Sequence, residues 1–194
     1  MIETPNYRIY KAAQSCCFVR ASDRWGAFSN MGMKFPFVLD DILIKSSEYL
    51  YQALKFQKDE NTQYLILNSS NALEAKKNAY QHADEMNAEK NKVMRYCLFM
   101  KYMAYKEYFD DLFQKTQGKA IVELSFKDDY WGAIKKAVGV YKGVNALGRL
   151  WMEIRELKEN LSERNEVFIL CGKTINYKTS VKKFESKPQI SLRL

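Results

Sequence analysis

The sequence predicts an α+β fold, a mostly helical single domain with a few short strands. Three observations point there. Apolar residues recur at helical spacing over long stretches, above all 88–117, while only short runs such as 119–125 and 166–171 have strand character. No internal repeat or low-complexity tract interrupts the 194 residues, a length suited to one well-buried core over 1–194. With 47% apolar and 28% charged residues, the composition is that of a globular chain rather than a disordered one.

Residues 16–20 (Cys-Cys-Phe-Val-Arg) read as a short strand. The stretch 35–44 alternates around Asp40-Asp41, which predicts a hairpin turning at the acidic pair. Ser46 or Ser47 can cap a helix carrying Glu48, because a serine oxygen satisfies a free amide of the first turn. Asn71-Ala72-Leu73-Glu74 has capping-box form and starts a helix running to about Tyr80. A central helix is expected over 88–117, apolar on most sides and stopped by Gly118. A buried strand over 119–125 leads into a Trp131-Gly132 loop, Asn145 can cap a helix over 146–160, and 166–171 forms a late strand.

The net charge of +8 is unevenly placed. Residues 173–194 carry +5 of it, leaving +3 for the rest, so the C-terminal extension is a basic segment that can attract phosphates or simply aid solubility. Cysteines 16, 17, 97 and 171 lack the paired spacings of a zinc site, and reduced thiols are expected. The lone histidine, His82, excludes a histidine-rich metal centre, and no metal or bound cofactor is demanded. Neither a cationic leader with an apolar stretch nor an apolar run of membrane-spanning length is present, which predicts a cytoplasmic protein without membrane contact.

The most informative segment is Ser47-Glu48-Tyr49-Leu50-Tyr51-Gln52-Ala53-Leu54-Lys55-Phe56. As a helix it sets a carboxylate, an amide and an ammonium at i, i+4 and i+7, with Leu50, Ala53 and Leu54 elsewhere around the axis. Glu48 and Lys55 then lie roughly 10 Å apart along the axis at about 1.5 Å per residue, so both can reach one ligand of nucleoside size. Charges at helical spacing also form ordinary solvated stripes. Three further blocks favour the chemical reading: Trp25-Gly26-Ala27-Phe28-Ser29-Asn30, Asp128-Asp129-Tyr130-Trp131-Gly132, and Asn145-Ala146-Leu147-Gly148-Arg149-Leu150-Trp151-Met152.

In this order and spacing, the four blocks resemble the NADAR (YbiA-like) family over residues 18–157. That resemblance implies an N-glycosidase cleaving either the C–N bond of a phosphoribosylamino-pyrimidine of riboflavin synthesis or the bond joining ADP-ribose to guanine. The implied partner is thus a ribosyl or ADP-ribosyl nucleotide, free or as ADP-ribosylated nucleic acid.

Breaking an N-glycosidic bond requires a stabilised oxocarbenium-like centre, a protonated leaving nitrogen and an activated water. Glu48 is the candidate catalyst, its first-turn position favouring the carboxylate through the helix dipole. Lys55 offers an amine that could form a Schiff base with a ring-opened ribose. Phe28, Ser29 and Asn30 are candidate sugar or phosphate contacts, with Tyr49 and Gln52 beside the glutamate. Trp131 and Gly132 are expected at the pocket rim, and Asn145, Gly148 and Arg149 near a helix start that favours phosphate.

Three departures from the family pattern stand out. Tyr49 replaces a histidine after the glutamate, and Met86 replaces a stacking tryptophan. Ala133-Ile134 stand where an acid and a glycine usually follow Trp-Gly, so Asp128 or Asp129 would have to substitute. These changes leave two other readings open: a catalytically silent module binding NAD-derived nucleotides, and a nucleic-acid-binding protein led by its basic extension.

Overall fold

The computed structural model describes residues 6–82 and 89–185, and within them the chain is α+β, as expected. In order it forms β1 (Arg8–Lys11), β2 (Ser15–Phe18), β3 (Phe37–Leu39), β4 (Ile42–Ile44), α1 (Ser47–Ala53), α2 (Glu60–Asn68), α3 (Ala72–Tyr80), α4 (Lys90–Ala104) and α5 (Lys106–Lys115). Then follow β5 (Ala120–Ser125), β6 (Ala133–Ala137), β7 (Val140–Gly143), α6 (Ala146–Leu157), β8 (Val167–Leu170), β9 (Lys173–Asn176) and β10 (Val181–Lys183).

A five-stranded sheet runs β1-β7-β6-β5-β2, with β5 parallel to both β2 and β6 and the other pairs antiparallel. Strands β10-β3-β4 make a small antiparallel sheet, and β8-β9 a hairpin. The β3-β4 hairpin turns at the expected acidic pair: Asp40 and Asp41 take φ of 46° and 66°, a left-handed conformation that short polar residues tolerate.

Residues 173–183, expected as a basic extension, are built into the fold. Lys173 lies in β9, Lys182 and Lys183 pair with β3, and Tyr177 is buried against Tyr96 and Phe99. Of the remainder, Phe184 and Glu185 follow β10, and 186–194 lies outside the described residues.

The central helix is two helices. At Tyr105 the backbone leaves helical geometry (φ −126°, ψ 37°), and the Tyr105 hydroxyl donates to the Pro36 carbonyl at 2.5 Å. That break lets Phe109 and Phe113 of α5 fold back onto Phe28 and Trp151. α4 itself is buried nearly all round, as its apolar composition predicted. Gly118, at φ 72°, allows the turn after α5.

The expected caps divide. Asn71 caps α3 by accepting from the Glu74 amide at 2.9 Å, and Glu74 reaches back to the Ser70 amide at 2.6 Å. Ser46 makes no capping bond to α1; instead the Glu48 amide donates to the Asn30 carbonyl at 3.0 Å, so the preceding loop takes the cap's place. Asn145 is not a side-chain cap either. From a left-handed backbone (φ 52°) it donates to the Ile121 carbonyl at 2.8 Å and accepts from the Glu123 amide at 3.1 Å. β6 pairs with β5 only from Leu124 onward, so this amide completes the sheet edge where β6 has not yet begun.

Candidate functional site

α1 is shorter than its charge pattern suggested. It ends at Ala53 with Leu54 as its C-cap, and the Lys55 amide makes a 3.3 Å bond to the Gln52 carbonyl that closes a turn. Lys55 therefore follows the helix rather than extending it. Even so, Glu48, Gln52 and Lys55 line one cavity of about 210 Å³, together with Asn30, Met31, Tyr51, Lys76, Tyr80, Met94, Glu123, Asp128 and Trp131.

Glu48 is buried, 3% exposed, with one oxygen accepting from the Gln52 amide at 2.6 Å and the other from the Asn30 amide. Two amide donors on an acceptor-only group suit a carboxylate. Burial nonetheless pushes its pKa above the ordinary value, against the lowering pull of Gln52, Lys76 and Lys55. The direction is opposite to that expected from the helix dipole: desolvation outweighs the dipole of a seven-residue helix and makes Glu48 a stronger base than an exposed glutamate.

Lys55 is 9% exposed, its ammonium 5.2 Å from the Tyr51 ring centre and 5.7 Å from that of Tyr80. Trp131 meets Tyr51 edge-on at 5.6 Å, so an aromatic wall runs beside the two charged groups. Lys76 and Tyr80 enter at i and i+4 of α3, with the Lys76 ammonium 5.8 Å from the Tyr80 ring.

Glu123 enters from the sheet. Along β5, Val122 packs with Tyr10 and Ala133 on one face, while Ile121 joins the main core and Glu123 lines the cavity on the other. Burial, with the nearby carboxylates of Asp128 and Glu48, raises its pKa to about 7. No donor among the described residues reaches its carboxyl group.

The loop holding Asn30 is tied down from behind. Fully buried Lys101 donates to the Ala27 and Ser29 carbonyls at 2.6 and 3.1 Å, and the Trp151 indole donates to the Phe28 carbonyl at 2.6 Å. Burial pushes the Lys101 ammonium down to about 7. Three consecutive carbonyls are thereby satisfied, which holds Asn30 against Glu48.

Several expected contacts lie elsewhere. Phe28 is fully buried, stacked on Phe113 and packed against Trp151; Ser29 turns its hydroxyl to the Met31 amide at 3.3 Å. The Tyr49 hydroxyl donates to the Ser69 carbonyl at 3.1 Å, away from the cavity, so it does not stand in for the family histidine. Gly132 serves backbone packing, since a Cβ there would lie 2.7 Å from the Glu123 carbonyl. A Cβ on Gly148 would lie 2.1 Å from the Ile121 carbonyl, so this glycine lets α6 pack against β5.

Asn145 is buried in its sheet-edge role, and Arg149 is not among the lining residues. Asp129 faces a separate recess with Tyr7, Lys136 and Lys142, whereas Asp128 lines the cavity and ties its loop by accepting from the Tyr130 and Trp131 amides. Met86 lies outside the described residues. Ala133 is fully buried with Tyr10 and Val122 and does not line the cavity, so the acid missing from that position leaves the cavity's own carboxylates in place. Among the described residues, no three His, Cys, Asp or Glu side chains converge to hold a metal ion, and no helix is long and apolar enough to cross a membrane.

Fold and site together define an α+β protein whose pocket combines the buried carboxylate of Glu48 with further acids, lysines and aromatic rings. The chain belongs to the NADAR domain family, whose model matches residues 10–157. Its structure is similar to the NMR structure of the E. coli protein YbiA, with a TM-score of 0.63 and 29% identity, covering 79% of this chain and 90% of that one. Among curated proteins, none matches it.

Proposed function

We propose that this protein is an N-glycosidase that hydrolyses the C–N bond of a ribosyl or ADP-ribosyl nucleotide, with Glu48 as the catalytic carboxylate. The observation that carries this reading is the opening of Glu48 and Lys55 into one recess beside Trp131. A carboxylate of raised basicity can take a proton from water as the anomeric carbon becomes electron-poor, and its charge stabilises that centre. The cavity, at about 210 Å³, is smaller than a typical nucleotide pocket. It suits a ribose and the start of its base, the remainder of the nucleotide lying past the mouth near Lys76 and Tyr80.

The test is chromatography of a ribosylaminopyrimidine phosphate and of ADP-ribosylated guanine after incubation with the protein. Release of free base from either supports the reading. Tight binding of ADP-ribose with neither substrate cleaved would instead make the protein a binding module.

Lys55 is the amine of the site. The ribose released by hydrolysis opens to an aldehyde, which a buried lysine can capture as an imine with loss of water. Borohydride added during turnover is expected to leave a reduced ribosyl adduct on Lys55, read by peptide mass spectrometry. Absence of the adduct with turnover intact restricts Lys55 to binding the sugar or a phosphate.

A further inference from the structure

Resting on the glycosidase reading, we propose that Glu123 is the general acid of this site, donating its proton to the departing base nitrogen while Glu48 receives one from the attacking water. Both line the same cavity, from different elements: Glu48 from α1 and Glu123 from β5. Their surroundings assign opposite roles. Glu48 is met by the amides of Asn30 and Gln52, donors that suit an ionised acceptor. Glu123 has no such donor among the described residues and is faced by the carboxylates of Asp128 and Glu48, with Lys76 as a weaker opposing charge and Lys55 lining the same cavity. An acid among like charges keeps its proton, and of two carboxyls both raised by burial the one met by two amide donors is the one that ionises first.

The step balances. The water oxygen bonds to the anomeric carbon and gives its proton to the Glu48 carboxylate. The C–N pair passes to nitrogen, which takes the Glu123 proton, so the products are a ribose with a free anomeric hydroxyl and the neutral base or amine. Exchange with solvent then resets both carboxyls. The titration of Glu123 at about 7 agrees with this role, since an acid catalyst works best when its pKa lies near the working pH.

The experiment is kcat against pH for the wild type, Glu123→Gln and Glu123→Asp on whichever N-riboside the wild type cleaves. Wild-type kcat is expected to fall as pH rises through about 7. Glu123→Gln should lower kcat at least about a hundredfold and abolish that alkaline limb. Glu123→Asp, which keeps an acid on a shorter stem, should retain a displaced limb and carries the test should the glutamine variant fail to fold. Unchanged limbs with kcat within threefold of wild type would overturn the assignment of Glu123 alone. A wild type that cleaves no N-riboside would remove the glycosidase reading itself and this role with it.

Discussion

Glu48→Gln is expected to lower kcat for base release by about 10²- to 10⁴-fold, the usual contribution of a positioned acid or base. The fold should survive. The substitution removes a buried negative charge, which is favourable, and sets a side-chain amide group where the Asn30 and Gln52 amides donate, which is not. These opposing changes each amount to about 1–3 kcal/mol, so the net change in unfolding free energy should stay within about 2 kcal/mol. Steady-state kinetics and urea denaturation of the same preparation separate the two effects. A variant turning over at the wild-type rate removes Glu48 from the chemistry, and one that is inactive but also unfolded reveals a structural role instead.

The second large effect concerns the frame behind the site. Gly148→Ala should destabilise the protein by more than about 3 kcal/mol, beyond the usual range for overpacking. The new Cβ would fall 2.1 Å from the Ile121 carbonyl and 2.6 Å from the Asn145 amide nitrogen, and the carbonyl belongs to a strand backbone that cannot step aside. Relief requires α6 to move off β5, which breaks the Asn145 clamp on Ile121 and Glu123. Activity should fall with stability, because the Asn145 side chain that accepts from the Glu123 amide leaves with α6. A midpoint within about 2 °C of wild type in thermal unfolding would show that α6 and β5 are less closely held than this packing requires.

How much of this was legible in the sequence varies with the physics of each feature. The Glu48, Gln52 and Lys55 grouping was readable because helical spacing brings such side chains to one side, although the helix stops before Lys55 and a turn finishes the placement. The hairpin was readable because adjacent aspartates tolerate positive φ. Glu123 was missed although strand 119–125 was expected: reading the run as simply buried hid the period-two alternation that turns Glu123 to the cavity and Val122 away from it. Lys76 and Tyr80 carried an i, i+4 signal on a helix that was itself expected, and would have been found by asking which face of α3 meets α1.

Other roles depend on tertiary neighbours that no local pattern contains. Nothing near Asn145 signals that its side chain completes a sheet edge, because the strand it serves lies more than twenty residues earlier. Lys101 sits in an apolar helix stretch, and its partners are carbonyls of a loop over seventy residues away. The break at Tyr105 likewise answers to Pro36 and to the packing of Phe109, not to a glycine or proline in the helix itself.

On the glycosidase reading, the recess between Glu48, Lys55 and Trp131 receives the ribose of the substrate. A crystal structure of the Glu48→Gln variant with ADP-ribose tests it most directly. The distal ribose is expected inside the cavity, its anomeric carbon facing residue 48 and the Lys55 amine, with the adenosine end emerging past Tyr80. Electron density for the ligand on the basic surface around Lys182 and Lys183, with the cavity holding only solvent, would contradict it.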